Sequence, residues 1–111
     1  MRSDLERLHD VIEAIERIEK YTTENKPRFF SDELIQTWVL HHLQILGEAI
    51  ARVSSQLTGQ HPEIPWRHII GMRNILVHDY FGIDVEVLWN VVENDLPKLK
   101  KNIEALIDQL L

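Results

Sequence analysis

The 111-residue chain contains no cysteine, which removes disulfides, thiolate nucleophiles and cysteine-based zinc sites from consideration. Glycine and proline occur four times each, and neither clusters into a phosphate-cradling loop or a flexible linker. No apolar run approaches the roughly 20 residues needed to span a bilayer. The opening MRSDLERLHD is charged from the start, so the expectation is a cytoplasmic chain without a secretory leader and without a membrane partner. No internal repeat or low-complexity tract divides the sequence, and its length suits a single domain over 1–111.

Basic residues are outnumbered, with 12 Lys and Arg against 18 Asp and Glu, for a net charge of −6. That balance argues against broad nucleic-acid affinity, because phosphate contacts need cations. The deficit is uneven. Residues 1–33 carry 6 basic and 9 acidic groups, and residues 84–111 carry 3 and 6. Residues 34–83 balance three arginines against three acids and hold five of the six histidines. An anion site is therefore expected in the middle of the chain.

The apolar residues recur at helical spacing. Leu5, Leu8, Ile12, Ile15 and Ile18 predict an amphipathic helix over 3–24, ended by Lys26-Pro27. Ser31 or Asp32 is placed to cap a second helix running to Leu57. Its apolar positions Ile35, Trp38, Val39, Ile45, Leu46, Ala49, Ile50 and Val53 cover more than one side, so a second protomer is expected against it. Thr58–Pro62 reads as a connector, and Pro65 suits the first turn of a third helix. Gly82 is placed to close that helix. Asp84 is expected to cap a fourth helix to about Glu93, and Asp95 with Pro97 to open a fifth containing Leu99, Ile103, Leu106 and Leu110. No segment alternates as a strand. The expectation is an all-α, up-and-down bundle of four to five helices, assembled as a dimer.

Polar chemistry is densest in Gly71-Met72-Arg73-Asn74-Ile75-Leu76-Val77-His78-Asp79-Tyr80. Arginine, four residues, histidine, one residue and tyrosine resembles the signature of the HepT branch of the HEPN superfamily. Pro65-Trp66, Gly71, Asp95-Leu96-Pro97, Gln44 and Gly47-Glu48 are similar to the same family. The resemblance implies a single HEPN-like helical domain and a toxin that cleaves RNA, whether tRNA or mRNA, without a metal or other cofactor. Arg73 and His78 would be its catalytic residues. It further implies a nucleotidyltransferase antitoxin, of the type VII toxin–antitoxin class, that transfers AMP to Tyr80.

The residue chemistry is compatible with that implication. RNA is cut without metal when a base helps the 2′-OH attack phosphorus and an acid helps the leaving oxygen. Histidine titrates in the range for either role, and an arginine fork stabilises charge growing on phosphate. On regular helical spacing Arg73 and His78 point about 140° apart and lie about 7.5 Å apart along the axis. Convergence is therefore expected in a cleft lined by this helix from two subunits. Asn74 and His78 are i,i+4 neighbours, so Asn74 is a supporting residue able to orient the imidazole. Arg73 and Tyr80 fall within about 20° of one another.

Other candidates are weaker. His41 and His42 are expected on different sides of a helix, with no second ligand at i+4, so no metal site is expected there. Trp38, Trp66 and Trp89 read as core or interface residues. Lys98, Lys100 and Lys101 read as a solvated face able to help hold RNA. A non-catalytic helical module that docks, and is modified by, a nucleotidyltransferase stays open beside the nuclease, as does a purely structural helical dimer.

Overall fold

The computed structural model describes residues 2–23, 26–77 and 84–111, with the side chains of 73–77 outside the description. Helix α1 spans Asp4–Thr22. Ser3 begins it with a capping box: its hydroxyl accepts the Glu6 N–H at 3.1 Å, and the Glu6 carboxylate accepts the Ser3 N–H at 3.2 Å. Two otherwise orphaned donors are thereby satisfied. Leu8, Val11, Ile15 and Ile18 form its fully buried stripe, and the expected Leu5 and Ile12 are only partly buried at its margin.

Lys26-Pro27 does not separate α1 directly from the next long helix. Lys26–Ser31 winds into a short helix, α2, with Pro27 in the first turn, where a missing N–H costs nothing. Its Phe29 is fully buried, and the Phe29 carbonyl accepts from Gln36 Nε2 at 3.0 Å. Asp32 then caps α3 (Glu33–Ala51), its carboxylate accepting from Leu34 N at 2.9 Å.

Helix α3 ends at Ala51 rather than near Leu57. Ser54 caps a separate short helix, α4 (Ser55–Gln60), accepting from Leu57 N at 3.2 Å. Thr58, Gly59 and Gln60 are therefore helical, and the connector begins at His61. Helix α5 covers Trp66–Val77. The Pro65 carbonyl accepts its first helical bond, from Ile69 N at 3.1 Å, and Trp66 Nε1 donates to the His61 carbonyl at 2.9 Å. The expected helix end at Gly82 lies outside the described residues.

Asp84 caps α6 (Val85–Asn90), accepting from Val87 N at 3.2 Å. No break follows at Asp95. A π-helical turn over Val91–Asp95 leads straight into α7 (Leu96–Leu110), and Asp95 keeps helical dihedrals without a side-chain cap. Leu99, Ile103 and Leu106 are buried as expected, whereas Leu110 is 42% exposed because α7 has run past the core there.

Helix α1 packs on α3 and α7, and α3 packs in turn on α5, α2 and α6. This is an all-α bundle, without a strand among the described residues. Its neighbours absorb most of the wide apolar surface of α3: Ile35, Val39, Leu46, Ala49 and Ile50 are all buried within one chain, as is Val53 just beyond its end. Ile45 and Leu34 stay exposed, at 38% and 82%. Among the described residues, no helix is long and apolar enough to cross a membrane.

Candidate active site

Arg73 and Asn74 fall within the helical run of α5, whose backbone continues to Val77. Their side chains lie outside the described residues, as do His78 and Tyr80 entirely. What the structure defines is the platform that carries the motif. Trp66 and Ile69 are buried at the start of α5 and Met72 one turn later, so the residue immediately before Arg73 is anchored in the core.

A cleft of about 220 Å³ lies beside this helix, between α5 and α7. Ile69, Met72 and Leu99 line it from the core side, and His68, Lys98 and Asn102 supply polar groups. Asp95, at the π-helical junction, lines it too. Glu63 stands at the same cleft. A bond from its own backbone N–H, and then the His61 ring at 3.0 Å, hold its carboxyl below the usual glutamate range. The lysine cluster thus divides. Lys98 borders the cleft, while Lys100 donates to Glu19 at 2.8 Å and ties α7 to α1. That bond raises the Lys100 pKa. A uniformly solvated lysine face is not what forms.

A larger groove of about 470 Å³ follows the seam between α1 and α3. Arg7 and Arg17 from α1, with His41, His42 and Glu48 from α3 and Arg52 at its end, border it. The His41 and His42 rings are 5.1 Å apart and both border this groove. The two side chains differ in setting. His42 is buried, with Nδ1 2.8 Å from the Trp38 carbonyl, and Trp38 Nε1 donates to the Arg17 carbonyl at 2.8 Å. His41 is exposed. Among the described residues no three His, Asp or Glu side chains converge as a metal-binding group.

The groove joins the middle of the chain to its N-terminal third. Sequence spacing did not reveal it, since Arg7 and Arg52 become neighbours only when α3 folds back along α1. The acids in the groove are partly engaged already: Asp10 receives Arg2 at 2.6 Å, and Glu13 receives Arg17 at 3.1 Å.

Comparison with known proteins follows the same lines. The family described as Ribonuclease HepT-like matches residues 11–106, a span that includes the whole Arg73–Tyr80 segment. The chain is 44% identical over 106 residues to the "Probable ribonuclease HepT" of Thermococcus cleftensis, covering 95% of this chain and 96% of that one. It is 36% identical over 100 residues to the "Putative RNase MJ1380" of Methanocaldococcus jannaschii, covering 89% of this chain and 92% of that one. A third relative, the "Gamma-glutamylcyclotransferase and putative RNase MJ0434" of the same organism, is 37% identical over 112 residues. Almost all of this chain aligns there with half of a longer protein, 99% against 50%. No solved structure gives a significant match.

Proposed function

The chain belongs to the HepT-like ribonuclease family, and from that premise we propose that it is an RNA-cleaving toxin working through Arg73 and His78 in a cleft shared by two copies. The carrying observation is the family match across the motif-bearing helix α5 and the segment beyond it. In the proposed reaction the 2′-oxygen of one ribose bonds to the adjacent phosphorus and loses its proton to a base. The bond from phosphorus to the 5′-oxygen of the next nucleotide breaks, and an acid protonates that oxygen. The products are a cyclic 2′,3′-phosphate and a free 5′-hydroxyl. The His78 imidazole serves one proton transfer, and the Arg73 guanidinium stabilises charge on the phosphoryl oxygens.

Neutralisation is assigned to a nucleotidyltransferase partner. The Tyr80 phenol oxygen attacks the α-phosphorus of ATP, gives up its proton, and releases pyrophosphate. The added AMP brings about one negative charge and a bulky nucleoside, which by the logic of phosphorylation occupies Arg73 and excludes an RNA phosphate.

The deciding experiment is incubation of purified, partner-free protein with total RNA in excess chelator. Cleavage leaving cyclic phosphate ends is expected, with loss of activity in Arg73→Ala and in His78→Ala at unchanged helix content. Activity that vanishes in chelator and returns with a divalent ion refutes the metal-independent step. The second reading is a non-catalytic module that docks the nucleotidyltransferase. It draws on the net charge of −6, and it predicts AMP transfer with no cleavage under any condition.

A further inference from the structure

We infer that the cleft between α5 and α7 seats the nucleobase beside the scissile phosphate, guanine fitting best; this rests on the ribonuclease reading above. Met72 lines the cleft and directly precedes Arg73, so the cleft's apolar wall and the backbone of that arginine belong to one helix. Ile69, Met72 and Leu99 are 3%, 6% and 4% exposed and form a fixed apolar surface. About 220 Å³ equals roughly seven water molecules at their liquid volume, room for one flat ring system. Sequence-selective recognition of RNA uses unstacked bases, laid on apolar or ring surfaces and read along their hydrogen-bonding edges. His68, exposed at the rim, supplies such a ring.

The polar groups decide which base. Asp95 is half-buried, lines the cleft and, among the described residues, makes no helix-capping bond, so its carboxylate oxygens can serve as acceptors there. A carboxylate is acceptor-only when ionised, and guanine presents two adjacent donors, N1–H and the N2 amino group, to its two oxygens. Adenine and cytosine offer one amino donor beside a ring-nitrogen acceptor, and uracil offers one N–H between two carbonyls, so each sets an acceptor against the carboxylate. The Asn102 amide can donate to the guanine O6, which an ionised acid cannot. Lys98 stands along the same edge and supplies a cation for the nucleotide's phosphate.

The test uses the full chain with isotopically labelled backbone, titrated with each of the four nucleoside 3′-monophosphates. Guanosine 3′-monophosphate is expected to shift the resonances of Ile69, Met72, Leu99 and Asn102, saturating at about tenfold lower concentration than the other three. Asp95→Asn is expected to erase that difference, and Lys98→Ala to weaken all four alike. In parallel, a random-sequence RNA library is cut and its ends are sequenced. Wild type should cut beside guanosine, and Asp95→Asn should cut without that preference. Equal binding of all four nucleotides, or shifts confined to another surface, overturns the inference even if RNA is cleaved. Absence of cleavage by wild type overturns the ribonuclease reading instead, and the titration then decides the base seat by itself.

Discussion

Ser54 donates both its backbone N–H and its hydroxyl to the carboxylate of Asp4, at 2.9 and 2.6 Å. The two residues are fifty positions apart in sequence, and their contact ties the start of α4 to the first turn of α1. Ser54 also accepts from Leu57 N, so one side chain caps α4 and holds it to α1.

Ser54→Ala is therefore expected to cost on the order of 1 kcal/mol, the usual size of a lost N-cap or hydrogen bond at a surface position. Asp4→Ala removes both bonds to Ser54, whereas Ser54→Ala removes only the hydroxyl bond together with the Leu57 cap, so the double variant should lose less than the sum of the single losses, by the one bond they share. Urea unfolding of the four proteins checks this. Additive losses would mean that the two residues act independently.

The local caps explain what spacing can and cannot reveal. Asp32 and Asp84 cap the helices whose starts they mark in the sequence, because a cap is a local bond within three residues. The stop after Ala51 carries neither glycine nor proline; its local sign is Ser54, which caps the next helix through Leu57 N and which the apolar run to Leu57 hides. Pro27 misleads in the opposite direction, since a proline in a first turn fits a helix as readily as it ends one. Asp95-Leu96-Pro97 likewise carries a helix-start pattern, but the preceding turn is already wound and the chain continues without a break. The candidate site divides along the same line. Arg73, Asn74, His78 and Tyr80 are visible as a spacing within eight residues. The pairing of His68 with Lys98 across a cleft depends on α5 and α7 meeting, which no local pattern encodes.

The Lys100–Glu19 pair makes a pH-dependent contribution. The bond from Glu19 raises the Lys100 pKa above its ordinary 10.5 in the folded chain. Stabilisation from this group is thus whole below 10.5 and is lost as pH rises through the folded value. Both side chains are partly exposed, at 27% and 42%, so solvent screening holds the gain below about 1 kcal/mol. Lys100→Gln should lower the melting temperature slightly at neutral pH and become indistinguishable from wild type in strongly alkaline buffer. A difference that persists unchanged above the titration would assign the loss to packing of the lysine stem.

Tyr80 is one of two tyrosines in the chain. The other, Tyr21, is 39% exposed and rests edge-on against Trp38 at 5.3 Å, so a modifying enzyme could reach it too. Under the proposed function, co-expression with the cognate nucleotidyltransferase adds AMP mass to the peptide containing Tyr80. Tyr80→Phe should lose the added mass and escape inactivation, while Tyr21→Phe should behave as wild type. Peptide mass spectrometry that placed the group on Tyr21 would remove Arg73 from the neutralising mechanism.

The shared cleft itself can be tested by complementation. Regular helical spacing would set positions 73 and 78 about 140° apart, an expectation that disfavours an active pair within one chain. In a two-fold dimer each chain can supply its arginine to one site and its histidine to the other. The α3 surface gives this arrangement little independent support, because most of its apolar residues are buried within their own protomer. Catalytic geometry is what calls for two chains, and catalysis should read it out. Arg73→Ala protein and His78→Ala protein are each expected to be inactive. When they are unfolded together and refolded at equal amounts, half of the dimers should be mixed, and each mixed dimer should hold one intact site and one doubly damaged site. Activity should return to about one quarter of wild type under this two-fold exchange. If arginine and histidine instead act within one chain, every site in the mixture lacks one of them, and the refolded sample should stay as inactive as either parent.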